Sequence, residues 1–306
     1  MTQKKAETIL VISVACRAVS YMFSKVALDD LEPFNLLAIR FLSAAIVLTV
    51  IFRKKFAVMS RRTMFHGMLI GAAYFLVTTF ELNGLCYTDS GTTAFIENTA
   101  IVLVPIFLAV MTRKMPGHIT VISAVLALSG VGFLTLGGAS ASAGAGFMHG
   151  VVLCFGAAVM YAVAMIITDR FAAEDDPVTI GILQMWFLGL FALPASLATE
   201  STHLPVTTDS WFSVAALVIV CSIIGFTTLP IAQRYVSAER VSLFCGLAPL
   251  IAGVSGAVFL HESFTAANAI GTALIIVAIF VPEIAPKLAS PSPRTKVSHR
   301  AVRHAA

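Results

Sequence analysis

Apolar residues along this chain come in long unbroken runs, not on one face at a time. The runs predict helices at 8–28, 34–52, 64–85, 91–111 and 118–137, then at 148–168, 178–199, 211–233, 239–260 and 266–284. A helix needs about 20 mostly apolar residues to cross the hydrocarbon core of a bilayer, and a barrel strand only about 10. Inside lipid only helices and closed barrels satisfy their own backbone. The pattern therefore predicts an all-α polytopic membrane protein with ten transmembrane helices. The breaks between runs carry turn or charge chemistry: Asp29 to Pro33, Arg53 to Lys55, Lys114 to Gly117 and Glu174 to Pro177.

Composition strengthens this picture. The chain is 58% hydrophobic and 12% charged, where a soluble domain carries about 25% charge. Lys4 and Lys5 precede the first run, but no small-residue cleavage site follows it, so it reads as a spanning helix and not as a signal peptide. The five cysteines are scattered with no metal spacing and fit helix packing.

The net charge of +4 matters through its placement. With the N-terminus inside, 17 of the 20 Lys and Arg fall in inside segments and none in outside loops. That is the asymmetry expected when both termini are cytoplasmic. The segment from Asp169 to Asp176 is inside yet acidic, the one mild disagreement. The three remaining cations, Arg17, Lys25 and Arg40, lie within spans.

The two halves of the chain look alike. Lys25 precedes Pro33 and Arg40 follows it, much as Arg170 precedes Pro177 and Gln184 follows it. A proline sits mid-span in each fourth helix, at Pro105 and Pro249. The organisation read from this is a cytoplasmic N-terminus at 1–7, a five-helix repeat at 8–137 and a Gly/Ala/Ser linker at 138–147. A second repeat covers 148–284, and 285–306 is a basic cytoplasmic tail expected to be disordered. An odd number of spans per repeat gives the halves opposite topology, a feature of carriers that alternate access around a central site.

In this arrangement the chain resembles the EamA-type family of the drug/metabolite transporter superfamily. The resemblance is carried by Lys25, by Glu32-Pro33-Phe34 followed by Arg40, by the Pro105 and Pro249 helices, and by His261 to Thr265 with Gly271 after it. It implies two inverted five-helix repeats around a central cavity. It also implies a secondary transporter, usually an exporter of amino acids or other small metabolites.

Ionisable groups inside a span cost a few kcal/mol and so point to function. Lys25, Arg40, Glu81 and Glu97 are expected at similar depth in the outer third, either as a substrate or proton gate or as a static ion-pair lock. Arg17 lies deepest, on a face with Ser13, Ser20 and Ser24. It is expected to meet a substrate carboxylate, or else a helix carbonyl or Glu81. Tyr74 and Thr78 share a face with Glu81, and Asn98 lies beside Glu97. In the second half Tyr161, Trp186, Gln233 and Gln184 are polar-capable, with Gln184 the counterpart of Arg40. Pro105 and Pro249 are either hinges or plain kinks.

Metalloprotease, phosphate-loop and nucleophile-elbow motifs are missing, so no cofactor, no metal and no nucleic-acid partner are expected. The expected partners are a small-molecule substrate, the lipid bilayer and a coupling ion such as a proton. The rival readings are a structural membrane protein, one that handles a lipid-linked substrate, and an intramembrane enzyme. A short chain of this architecture points to a bacterial inner membrane.

Overall fold

Helix starts follow the chain's capping chemistry. In the computed structural model, which describes residues 3–56, 59–113, 117–119, 121–123, 125–126, 129–130, 133, 146–236, 238–260 and 266–289, the first span is two pieces. These are α1 (Gln3–Ala18) and α2 (Ser20–Ala27). Pro33 sits in the first turn of α3 (Pro33–Ile51), where its missing N–H costs nothing. A short α4 (Arg53–Phe56) leads to α5 (Arg61–Leu85), capped by the Ser60 hydroxyl on the Thr63 N–H at 3.0 Å. Asp89 caps α6 (Ser90–Glu97) through the Thr92 N–H at 2.7 Å, and α7 (Ala100–Thr112) continues that span. Each such cap is worth about 1 kcal/mol.

The second half begins with α8 (Phe147–Glu174) and α9 (Pro177–Thr199). The next span is α10 (Thr208–Ala216), a π-helical stretch over Leu217–Phe226, and α11 (Thr227–Gln233). Then come α12 (Ala238–Cys245), α13 (Ala248–Phe259) and α14 (Ala266–Ala289). Among the described residues, seven helices are long and apolar enough to cross a membrane. Most of the span expected at 118–137 and of the 138–147 linker lies outside the described residues, as do 261–265 and the tail from 290.

The protein is a multi-pass membrane protein, and its described spans other than α14 form two layers. Four spans without a break, α3, α5, α8 and α9, form one layer: α5 packs on α8 and α9, and α3 packs on α9. Glycines bring these helices close. A Cβ at Gly71 would lie 2.9 Å from the Gln184 carbonyl oxygen, and one at Gly150 would lie 3.1 Å from that of Gly84. Small residues of this kind are what allow dry helix contact inside lipid. The other layer holds the interrupted spans: α1 against the π stretch and α13, and α6 against α13. Both layers take members from both halves of the sequence.

Polar clusters tie the unbroken layer at each end. At the basic end, Lys55 meets Asp176 at 2.9 Å, Arg62 pairs with Glu174, and Asp175 accepts from Thr63 at 2.7 Å and contacts His66 Nδ1 at 2.5 Å. The acidic turn that ran against the charge asymmetry is thus the partner of the basic segment beside it. Burial opposes ionisation of Asp176, but the Lys55 hydrogen bond and Thr179 N–H outweigh it and hold the carboxyl below its ordinary value. At the other end Glu200 accepts from the Phe34 and Asn35 N–H groups at 2.9 and 2.7 Å, and Glu32 accepts from Ser201 N–H at 2.8 Å.

Candidate functional site

Three of the broken spans have causes in identifiable side chains. At the α6–α7 junction the Asn98 side-chain amide donates to the Ala94 carbonyl and the Thr99 hydroxyl to the Ile96 carbonyl, both at 2.7 Å. These side chains compete with the backbone for helix carbonyls. Pro105 stands inside α7, and its missing N–H weakens the ladder one turn further on. Pro249 falls mid-span as expected, but at a break and not inside a continuous helix. It falls in the first turn of α13, after a break at Gly246-Leu247, and has no N–H to offer the Cys245 carbonyl. In the eighth span Pro230 likewise leaves the Phe226 carbonyl without its helical donor, and Gln184 Nε2 takes it at 2.9 Å. Ser13 donates to the adjacent Gly225 carbonyl at 2.7 Å.

These irregular points converge. A cavity with about 450 Å³ of empty space, mouth included, lies between the layers. Arg17, Ala18, Ser20 and Tyr21 line it from either side of the α1–α2 break, and Glu97 and Asn98 line it at the α6–α7 break. Phe226, Cys245 and Ala248 mark the π-stretch end and the α12–α13 break. The unbroken layer supplies Arg40, Thr78, Glu81 and Tyr161.

The cavity holds two arginines and two glutamates, yet among the described residues no ion pair joins them. Arg17 faces aromatic rings. Its Nη1 donates to the Tyr161 hydroxyl at 2.6 Å, and its guanidinium lies 4.7, 4.9 and 5.8 Å from the centroids of Phe226, Tyr161 and Tyr74. Such a contact contributes about 0.5–2 kcal/mol. Arg40, 3% exposed, donates through Nε to Ser222 at 2.8 Å and lies over Phe41. Glu97, 1% exposed, accepts from the Tyr21 hydroxyl at 2.7 Å. Glu81 lines the same space.

A family profile described as the EamA-like transporter family matches the chain over residues 4–136 and again over 148–282. The chain belongs to that family. Similar curated proteins include an uncharacterized transporter of Archaeoglobus fulgidus, 26% identical over 84% of this chain and 79% of that protein. The uncharacterized transporter YvbV of Bacillus subtilis is 24% identical, over 91% of this chain and 92% of its own length. A solved crystal structure, 20% identical, covers 94% of this chain and all of its own with a TM-score of 0.73, and so shares the fold. This EamA-like protein is accordingly a membrane transporter.

Of the residues singled out in the sequence of this EamA-like transporter, the cavity gathers Arg17, Arg40, Thr78, Glu81, Glu97 and Asn98. Tyr74 stands behind them as part of the ring cluster around Arg17. Lys25 stands apart: its ammonium donates to the Leu85 and Thr88 carbonyls at 2.7 and 2.6 Å, closing the end of α5. Gln184 also stands apart, spent on the Phe226 carbonyl. Of the two readings of the outer-third charges, the static ion-pair lock gives way to these separate contacts. Tyr21 was not singled out, although it follows Arg17 by one helical turn; Phe226 is one of 22 phenylalanines with nothing in the sequence to mark it.

Proposed function

We propose that this EamA-like transporter is a secondary carrier that exports small metabolites, amino acids among them, across a bacterial inner membrane, with both termini cytoplasmic. One observation carries the reading. Buried Arg40, half-buried Arg17 and two buried carboxylates share a cavity without pairing to each other. Charges inside a membrane protein are expensive and mark substrate or ion pathways. A substrate with a carboxylate toward Arg17 and Arg40 and an ammonium toward Glu81 and Glu97 answers all four. Their balance of two against two favours a zwitterion over a net ion.

Access would alternate, with the breaks near Pro105 and Pro249 as hinges and with the Arg17–Tyr161 and Tyr21–Glu97 contacts exchanged for substrate contacts. The sequence carries no nucleotide motif, so the drive would come from a gradient of protons, other ions or the substrate itself. Under this reading the protein performs no covalent chemistry.

The test is counterflow of radiolabelled amino acids and related metabolites into liposomes holding the purified protein. One chemical class is expected to accumulate. Glu97→Gln and Arg17→Ala are each expected to lower its initial rate at least ~10-fold, the equivalent of about 1.4 kcal/mol. Rates unchanged in both variants would detach the cavity from transport. A flat panel with folded protein would overturn the reading itself.

A further inference from the structure

We propose that the moving bodies of this protein are its two layers, not its two sequence halves. The proposal rests on the transporter reading above but concerns only which helices travel together.

The boundary between the sequence halves runs through the tightest packing in the molecule. In the unbroken layer, α3 and α5 belong to the first half, α8 and α9 to the second. A Cβ at Gly67 would lie 2.4 Å from Leu183 Cβ, one at Gly71 2.6 Å from Phe187 Cβ, and one at Gly189 2.7 Å from Leu42 Cγ. These contacts all join opposite halves, and interfaces packed this closely do not deform continuously. The same layer is tied at both ends at once, by Lys55–Asp176 and Arg62–Glu174 at one and by Glu32–Ser201 and Glu200–Phe34 at the other. A carrier opens one end at a time. Rocking half against half would break one set of ties and shear the glycine contacts.

The seam between layers is of another kind. A Cβ at Gly181 would lie 3.3 Å from Thr227 Cα across it, a close approach without the overlap met at Gly67, Gly71 and Gly189. Beside the ring contacts of Phe226 with Phe41 and Tyr74 and the packing of α6 and α7 on α8, the seam is crossed by polar contacts: Arg17 to Tyr161 at 2.6 Å, Arg40 to Ser222 at 2.8 Å, and Lys25 to the Leu85 carbonyl at 2.7 Å. Polar contacts can be exchanged for water or substrate as the layers part. The cavity lies in this seam, and each layer brings one cation and one carboxylate to it: Arg40 and Glu81 from the unbroken layer, Arg17 and Glu97 from the broken one. Among the described residues, every break in a span, and the π stretch, lies in the broken layer, which gives that layer the backbone slack to move.

Two label pairs separate the layer and half schemes without any substrate. They are placed in full-length protein in liposomes on a Cys86→Ser background, because Cys86 is the exposed native thiol among the described residues. Arg53→Cys with Arg170→Cys spans the halves within one layer. Arg170→Cys with Arg234→Cys spans the layers within one half. Pulsed dipolar spectroscopy is expected to give one narrow distance for the first pair and two or more for the second. The reverse pattern, or a single distance for both, would overturn the proposal.

Disulfides extend the test to transport. Lys55→Cys/Asp176→Cys and Glu32→Cys/Ser201→Cys join helices within the layer. Thr93→Cys joins the layers through native Cys154, whose sulfur lies 3.8 Å from the Thr93 hydroxyl. Oxidation is expected to leave counterflow within twofold in the first two and to abolish it, reversibly with reductant, in the third. Reversible loss in either of the first two would overturn the proposal. If no compound accumulates before oxidation while the distances behave as expected, the transport reading fails and the layer assignment stands.

Discussion

Removing the Tyr161 hydroxyl isolates what holds Arg17 in place. Tyr161→Phe keeps the ring beneath the guanidinium but deletes the acceptor at 2.6 Å. A hydrogen bond to a charged group contributes about 1.5–3 kcal/mol, so the variant should unfold in detergent at a clearly lower temperature than wild type. An unchanged unfolding temperature would mean the rings alone suffice. At the surface, the backbone N–H of Val206, with that of Thr207, holds the Asp30 carboxyl below its ordinary value. The folded protein therefore binds this proton at lower pH than the unfolded chain. The contact stabilises fully above the ordinary aspartate value of about 4, and the contribution disappears as pH falls through the lower folded value. Asp30→Asn should accordingly cost stability at pH 6 and nothing further at the acid end, as read by melting temperature across that range. The Lys55–Asp176 pair is also exposed, 41% and 44%, and Lys55→Ala should cost no more than about 1 kcal/mol.

Helix contacts respond to volume more than to charge. Gly71→Leu would drive a side chain into Phe187 and the Gln184 carbonyl, and overpacking of this kind costs about 1–3 kcal/mol. Gly156→Ala meets only Phe80 at 3.4 Å, an ordinary contact, and should leave stability equal or higher by up to about 1 kcal/mol. Paired melting curves separate the two. The spans themselves were legible because a bilayer demands long apolar runs, and Pro33 and Pro177 marked starts that the helices use. The breaks were legible only in part. Prolines announced Pro105 and Pro249, but the α6–α7 break owes as much to Asn98 and Thr99. The π stretch over Leu217–Phe226 is marked only at its end, where Pro230 frees the Phe226 carbonyl for Gln184, and Ser13 takes the Gly225 carbonyl by a tertiary contact.

At the scale of the whole molecule, burial cost identified most of the charged cavity, since Arg17, Arg40, Glu81 and Glu97 stood out for lying inside apolar runs. What each one touches was not legible. Depth along a helix ranks residues along the membrane normal but says nothing of azimuth, so Lys25 shared a depth with the site while facing elsewhere, and Gln184, the counterpart of Arg40, is spent on a carbonyl. The layered arrangement was hidden for a related reason: sequence repeats divide the chain lengthwise, whereas the glycine contacts join spans across that division.

The central claim is that one cavity reads both a negative and a positive group on its substrate. Competition in counterflow tests it most directly, using the amino acid that accumulates, its methyl ester and its N-acetyl derivative against the labelled parent. Both derivatives should compete at least ~10-fold more weakly than the parent in wild type. The ester's disadvantage should shrink in Arg17→Ala and the acetyl derivative's in Glu97→Gln. Equal competition by all three compounds in wild type would contradict the account.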